Sequence, residues 1–131
     1  MSPRDPADVF RDWIDAWNRG DIEGFVALLT PDVEWYDRPE FPDAGVYRGR
    51  EATGRHLEDL AQTIDAVFEP VAFEQMGDRL LVDMKVRFRG PESGAAVAQD
   101  LYSVVVVREG LIARRENFST REEAVAAASG R

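Results

Sequence analysis

The side chains in this sequence that could do chemistry are few and of one kind. Its 131 residues include no cysteine, and His56 is the only histidine. Thiol nucleophiles, disulfides, iron–sulfur clusters and histidine-rich zinc sites are therefore excluded. No P-loop, HExxH or GxSxG run is present either, and neither a metal nor a cofactor is expected. Acid–base and hydrogen-bonding chemistry remains. Asp37 closes the short strand expected over Val33 to Asp37 and opens a proline-rich stretch. A carboxylate held against an apolar wall takes up a proton more readily, which suits proton abstraction next to a carbonyl. The same position also suits the start of an Asx turn. Asp100 and Tyr102 stand two residues apart, hence on one face of a strand, either as an acid in a pocket or as a polar pair at the sheet rim. Arg115 and Asn117 share a face in the same way, opposite Arg114 and Glu116. His56 adjoins the apolar pair Leu57 and Leu60, and can tip inward from a helix or touch solvent at its flank. Trp13, Trp17 and Trp35 can line a ligand site or fill a core.

The elements that would position these groups follow from spacing. Asp5 before Pro6, with Asp8 behind it, predicts a capped helix whose inward stripe is Phe10, Trp13, Ile14 and Trp17, ending at Gly20. Asp21 can cap a second short helix carrying Phe25, Leu28 and Leu29 inward, with Thr30-Pro31 as its stop. A strand is expected over Val33 to Asp37, an irregular loop from Arg38 to Gly49, and a third helix from about Glu51 to Asp65. The period then changes to two: Leu80, Val82, Met84, Val86 and Phe88 alternate with Leu81, Asp83, Lys85, Arg87 and Arg89. Glu109-Gly110 joins strands Leu101 to Arg108 and Leu111 to Phe118 in a hairpin. Thr120 with Glu123 resembles a capping box for a last helix to about Ala128. Helices first and long alternating strands after predict an α+β fold, one domain over residues 1–131, with a pocket between helices and sheet.

Composition narrows the partners. Hydrophobic residues at 44% supply a core, which argues against disorder. A net charge of -9 repels phosphate backbones and anionic lipid, so neither nucleic acid nor membrane is an expected partner. Residues Met1 to Phe10 hold no signal-like apolar stretch, and a cytoplasmic location is expected. An outer sheet face bearing Leu81 and Val105 among charges suggests a homodimer contact.

The run Trp13-Ile14-Asp15-Ala16-Trp17-Asn18-Arg19-Gly20-Asp21, with Phe25 to Leu29, Pro31-Asp32-Val33-Glu34-Trp35 and Gly45-Val46-Tyr47-Arg48-Gly49, resembles the SnoaL-like family of the NTF2-like superfamily. Val107 to Ile112 and Ser119 to Ala124 resemble that family's terminal hairpin and closing helix. The resemblance implies an NTF2-like cone, with N-terminal helices packed on the concave face of a strongly curved, mainly antiparallel sheet. It relates the chain to polyketide cyclases and ketosteroid isomerases, and so implies binding of a small apolar ligand with cofactor-free cyclase or isomerase chemistry. A non-catalytic dimeric binding or scaffold module is the alternative. Counted from Gly20, Asp37 falls where the isomerases hold their general base. Asp100, by residue type, or Tyr102, by distance from Gly110, would be the partner acid. Trp13 replaces the isomerases' first-helix tyrosine, a departure that argues against steroid isomerisation itself, and Ala98 stands where an epoxide hydrolase would need arginine. Trp13, Trp17, Trp35, His56, Arg115 and Asn117 would contact the ligand, with Asn117 orienting its carbonyl.

Overall fold

Asp5 opens the first helix by accepting a hydrogen bond from the Ala7 N–H at 3.0 Å, with Pro6 in the first turn, where its missing N–H costs nothing. The computed structural model describes residues 5–37, 45–88 and 97–129. Four helices, α1 (Pro6–Arg19), α2 (Ile22–Ala27), α3 (Arg50–Thr63) and α4 (Arg121–Ala128), accompany six strands. These are β1 (Leu29–Tyr36), β2 (Val46–Arg48), β3 (Ala66–Met76), β4 (Arg79–Phe88), β5 (Val97–Arg108) and β6 (Leu111–Phe118). They form one curved sheet in the order β2-β1-β6-β5-β4-β3, antiparallel throughout except where β1 runs parallel to β6. The α+β architecture expected from the sequence is the one observed.

Gly20 ends α1 in the left-handed conformation, φ 72°, its N–H returning to the Trp17 carbonyl at 2.9 Å. A Cβ there would meet nothing within 4 Å, so substitution tests backbone strain alone. Gly20→Ala is expected to cost about 1–2 kcal/mol of unfolding free energy, measured by urea denaturation. Asp21 caps α2 through the Gly24 N–H, and Thr120 accepts the Glu123 N–H to open α4.

Three strand assignments differ from expectation. The Thr30-Pro31 step lies inside β1, because the ladder to β6 shifts register between Leu29 and Glu34 and asks no N–H of Pro31. Residues 46–48, expected in an irregular loop, form β2 against Glu34–Tyr36; residues 38–44 of that stretch lie outside the described residues. β3 was not expected at all. A register shift between Pro70 and Ala72 breaks its alternation, and its charged and amide residues hide the period of two.

The two faces of the sheet bury different clusters. Leu80, Val82, Met84 and Val86 of β4 join Leu101 and Val105 of β5 and the stripe Phe10, Trp13, Ile14 and Trp17 of α1 in the main core. Leu81 and Val104 turn the other way, beneath Ala124 and Ala128 of α4. Val105 is thus an inward residue, opposite Leu80 in the ladder, and the outer face loses one of the two apolar residues assigned to it from sequence. Among the described residues no helix is long and apolar enough to cross a membrane.

Candidate active site

Asp37 follows the last residue of β1, and its backbone N–H donates to the Gly45 carbonyl at 3.2 Å. That bond continues the pairing of β1 with β2 by one step beyond Tyr36 and Val46. The side chain is 3% exposed and meets two partners. Its Oδ2 is hydrogen-bonded to Nε2 of His56, itself 4% exposed, and its Oδ1 accepts from Asn117 Nδ2 at 3.1 Å. His56 reaches in from the middle of α3, and the Tyr47 ring of β2 stacks on it at 3.9 Å with planes 10° apart.

The polar set continues inward along neighbouring strands. Asn117 on β6 and Ser103 on β5 are register partners, and Ser103 Oγ donates to Asn117 Oδ1 at 2.6 Å. Arg115 Nε donates in turn to Ser103 Oγ at 3.1 Å. The Arg115 guanidinium is 2% exposed and sits among the rings of Trp13, Trp35, Phe10 and Phe68 at 4.7–5.7 Å. Such cation–π contacts recover part of what a cation loses on leaving water. Burial nevertheless pulls its pKa down to about 10, with the Asp37 charge opposing the fall.

Between these groups lies a cavity of about 20 Å³, lined by Trp13, Trp17, Trp35, Asp37, Arg115 and Asn117 with apolar neighbours from α3, β3 and β5. Space of that size holds about one water molecule. The pocket expected between helices and sheet is therefore largely filled by the chain's own aromatic rings and guanidinium. The two first-helix tryptophans differ in one respect. Trp17 Nε1 donates to the Ala66 carbonyl at 3.0 Å, whereas the buried Trp13 Nε1 has no acceptor. A far wider depression, about 850 Å³ and open to solvent, lies between α2 and α3. None of the hydrogen-bonded set lines it, so size and chemistry part company, and the chemistry is at the small cavity.

The structure thus brings Asp37, His56, Asn117, Arg115 and the three tryptophans together. Asp100 and Tyr102 are elsewhere. They pair across the ladder with Lys85 and Asp83, which places them on the opposite face from Leu101 and Ser103. Asp100 is exposed and ion-paired to Lys85 at 2.5 Å, and Tyr102 packs with the α4 cluster. A strand's alternation allows one face only, and Leu101 and Val105 claim the inward one. Ser103, between them, is the polar residue that sequence reasoning missed; its shared parity with that pair was the available signal. Tyr47 escapes sequence reasoning because its three-residue strand lies between Gly45 and Gly49, which read as loop. Among the described residues no group of three or more acidic or histidine side chains could hold a metal ion.

The sequence profile of the SnoaL-like domain family matches residues 10–115. The chain belongs to the SnoaL-like family. The matched span runs from Phe10 to Arg115, and so includes all four rings around the buried guanidinium. Solved structures agree on the fold of this SnoaL-like protein. A polyketide cyclase candidate from Sinorhizobium meliloti is 26% identical, with 85% of this chain and 94% of that one covered and a TM-score of 0.70. An NTF2-like protein from Burkholderia xenovorans is 25% identical over 98% of both chains, TM-score 0.73. A ketosteroid isomerase-like fold from Catenulispora acidiphila, in complex with trimethylamine, has a TM-score of 0.75 at 16% identity over 97% of this chain and 95% of that one. No curated protein sequence matches the chain.

Proposed function

We propose that this SnoaL-like protein binds a small, largely apolar molecule carrying a carbonyl, and that Asp37 transfers a proton at the neighbouring carbon without a cofactor. The observation that carries the reading is the buried Asp37 carboxylate, held on both oxygens by His56 and Asn117 while lining an aromatic cavity. A base used for carbon acids gains from a fixed direction and from little competing water. Charge developing on the ligand oxygen needs donors. With Asp100 and Tyr102 on the far face, that duty passes to the Trp13 indole N–H and the Arg115 guanidinium. The similarity to a polyketide cyclase candidate supports the same substrate type. The protein is proposed to work in the cytoplasm as a homodimer.

The test separates binding from chemistry. A panel of flat, apolar carbonyl compounds is screened by tryptophan fluorescence and thermal shift, and deuterium exchange next to the carbonyl is followed by NMR for those that bind. Asp37→Asn is expected to retain binding and to slow exchange by about 10²–10⁴-fold. Equal exchange in the variant would remove the base role.

A second reading is favoured by the filled cone. Trp13, Trp17 and Trp35 are 0%, 6% and 1% exposed, and with Arg115 they leave about 20 Å³. On that reading the protein is a non-catalytic dimeric binding or scaffold module. Absence of any spectral or thermal response across the panel, together with a dimeric mass by light scattering, would select it.

A further inference from the structure

We infer that Ser103 is a positioning residue for Asp37, acting through Asn117 and held in its own orientation by Arg115. Four side chains on three strands or their ends form an unbroken line: Arg115 Nε to Ser103 Oγ at 3.1 Å, Ser103 Oγ to Asn117 Oδ1 at 2.6 Å, and Asn117 Nδ2 to Asp37 Oδ1 at 3.1 Å. The two ends determine the direction of every bond between them. A guanidinium has only donors, and an ionised carboxylate has only acceptors. Ser103 accepts from Arg115, and because Asp37 can only accept, the Asn117 amide must turn its NH₂ to Asp37, which leaves its carbonyl to take the Ser103 hydrogen. Asn117 then presents its carbonyl to Ser103 and its NH₂ to Asp37, with no freedom to flip.

Asn117 has its Oδ1 engaged by Ser103 and one Nδ2 hydrogen by Asp37, so it holds the carboxylate and keeps one Nδ2 hydrogen for a ligand carbonyl. Ser103, 0% exposed, is the hinge of the line. Without its hydroxyl, the Asn117 carbonyl loses the donor that holds it, and the Arg115 Nε–H loses a buried acceptor. Asp37 would then rest on His56 with its second oxygen loosely held. As a role in catalysis this rests on Asp37 being the base; as a statement about Asp37's orientation it does not, and the readout below uses no ligand.

His56 is the only histidine, so its ring nitrogens give one assignable pair of signals in a ¹⁵N-labelled full-length chain. Ser103→Ala is expected to shift the His56 Nε2 resonance at constant pH and to speed solvent exchange of the Asn117 side-chain amide several-fold. Ser103→Thr, which keeps the hydroxyl, is expected to restore both. A folded Ser103→Ala protein with both signals unchanged would overturn the inference. So would a Thr variant that fails to restore them, since the effect would then be one of packing. Should Ser103→Ala not fold, the wild-type chain still decides: an Asn117 amide exchanging as fast as a free one refutes the line, and a protected one supports it.

Discussion

Trp13→Ala is expected to lower the unfolding free energy by about 3–5 kcal/mol, the range for removing a large aromatic side chain from a packed core. Trp13 is fully buried and touches more of the aromatic core than any neighbour, with ring centroids of Phe10, Trp17, Phe25, Trp35 and Phe68 at 5.5–6.0 Å. It also forms one wall around the Arg115 guanidinium. Truncation removes transfer energy, leaves a hole between helix and sheet, and uncovers a buried charge. Against a total stability of roughly 5–15 kcal/mol, that is a large part of the whole. Urea denaturation followed by circular dichroism measures it, with Trp13→Phe as the milder control because it keeps an aromatic ring in place. A loss under about 1 kcal/mol would mean that the helix does not pack on the sheet as described.

Arg115→Met should be almost as severe. Two effects oppose each other. Removing the guanidinium relieves the desolvation that brings its pKa down to about 10, yet it leaves Asp37 without the positive charge that offsets it. Breaking one side of a buried charge arrangement costs about 3–5 kcal/mol, and the second effect is expected to win. Asp37→Asn placed in the Arg115→Met background should then recover part of the loss, a coupling a double-mutant cycle reads directly. The pH dependence has a definite sign. Well below pH 10 both folded and unfolded chains hold the arginine proton, so this group adds no slope. Above about pH 10 the folded chain gives it up while the unfolded chain keeps it; the unfolded state then binds more protons, and this group's contribution to stability rises with pH. Wild type should therefore gain on Arg115→Met in alkaline buffer. Parallel slopes for the two proteins above pH 10 would contradict the buried-charge account.

The features most legible in the sequence were those decided within a few residues. Asp5, Gly20, Asp21 and Thr120 mark helix ends through local hydrogen bonds and local backbone angles, and each sits where its type and spacing predicted. The alternation of β4 was equally plain, because one buried face produces it regardless of the partner strand. The places that resisted depend on distant neighbours. β3 exists because β4 offers it a ladder, and its bulge erases the pattern that would have announced it. For β5, residue type pulled one way and parity the other: Asp100 and Tyr102 look chemical, whereas Leu101 and Val105 mark the inward face. Parity was the better guide, since a one-residue offset moves every side chain through the sheet. Asp37 and His56, 19 residues apart, meet only because β2 folds back along β1 and starts α3 close to the strand it has just left. No local spacing contains that return.

The bulge in β3 has a further effect, on what the sheet can grow into. A sheet offers a stranger two places to add a strand, its outermost members, here β2 and β3. β2 is three residues long, too brief to template a partner. β3 is long enough, but Pro70 contributes no N–H, and the break in register before Ala72 leaves the neighbouring Val71 62% exposed. An incoming strand would find its row of donors interrupted midway, the arrangement by which natural sheets avoid edge-to-edge stacking and fibrillar growth. Replacing Pro70 would therefore do more than relax a kink: it would restore an adhesive margin to a protein otherwise built to keep its hydrogen bonds to itself.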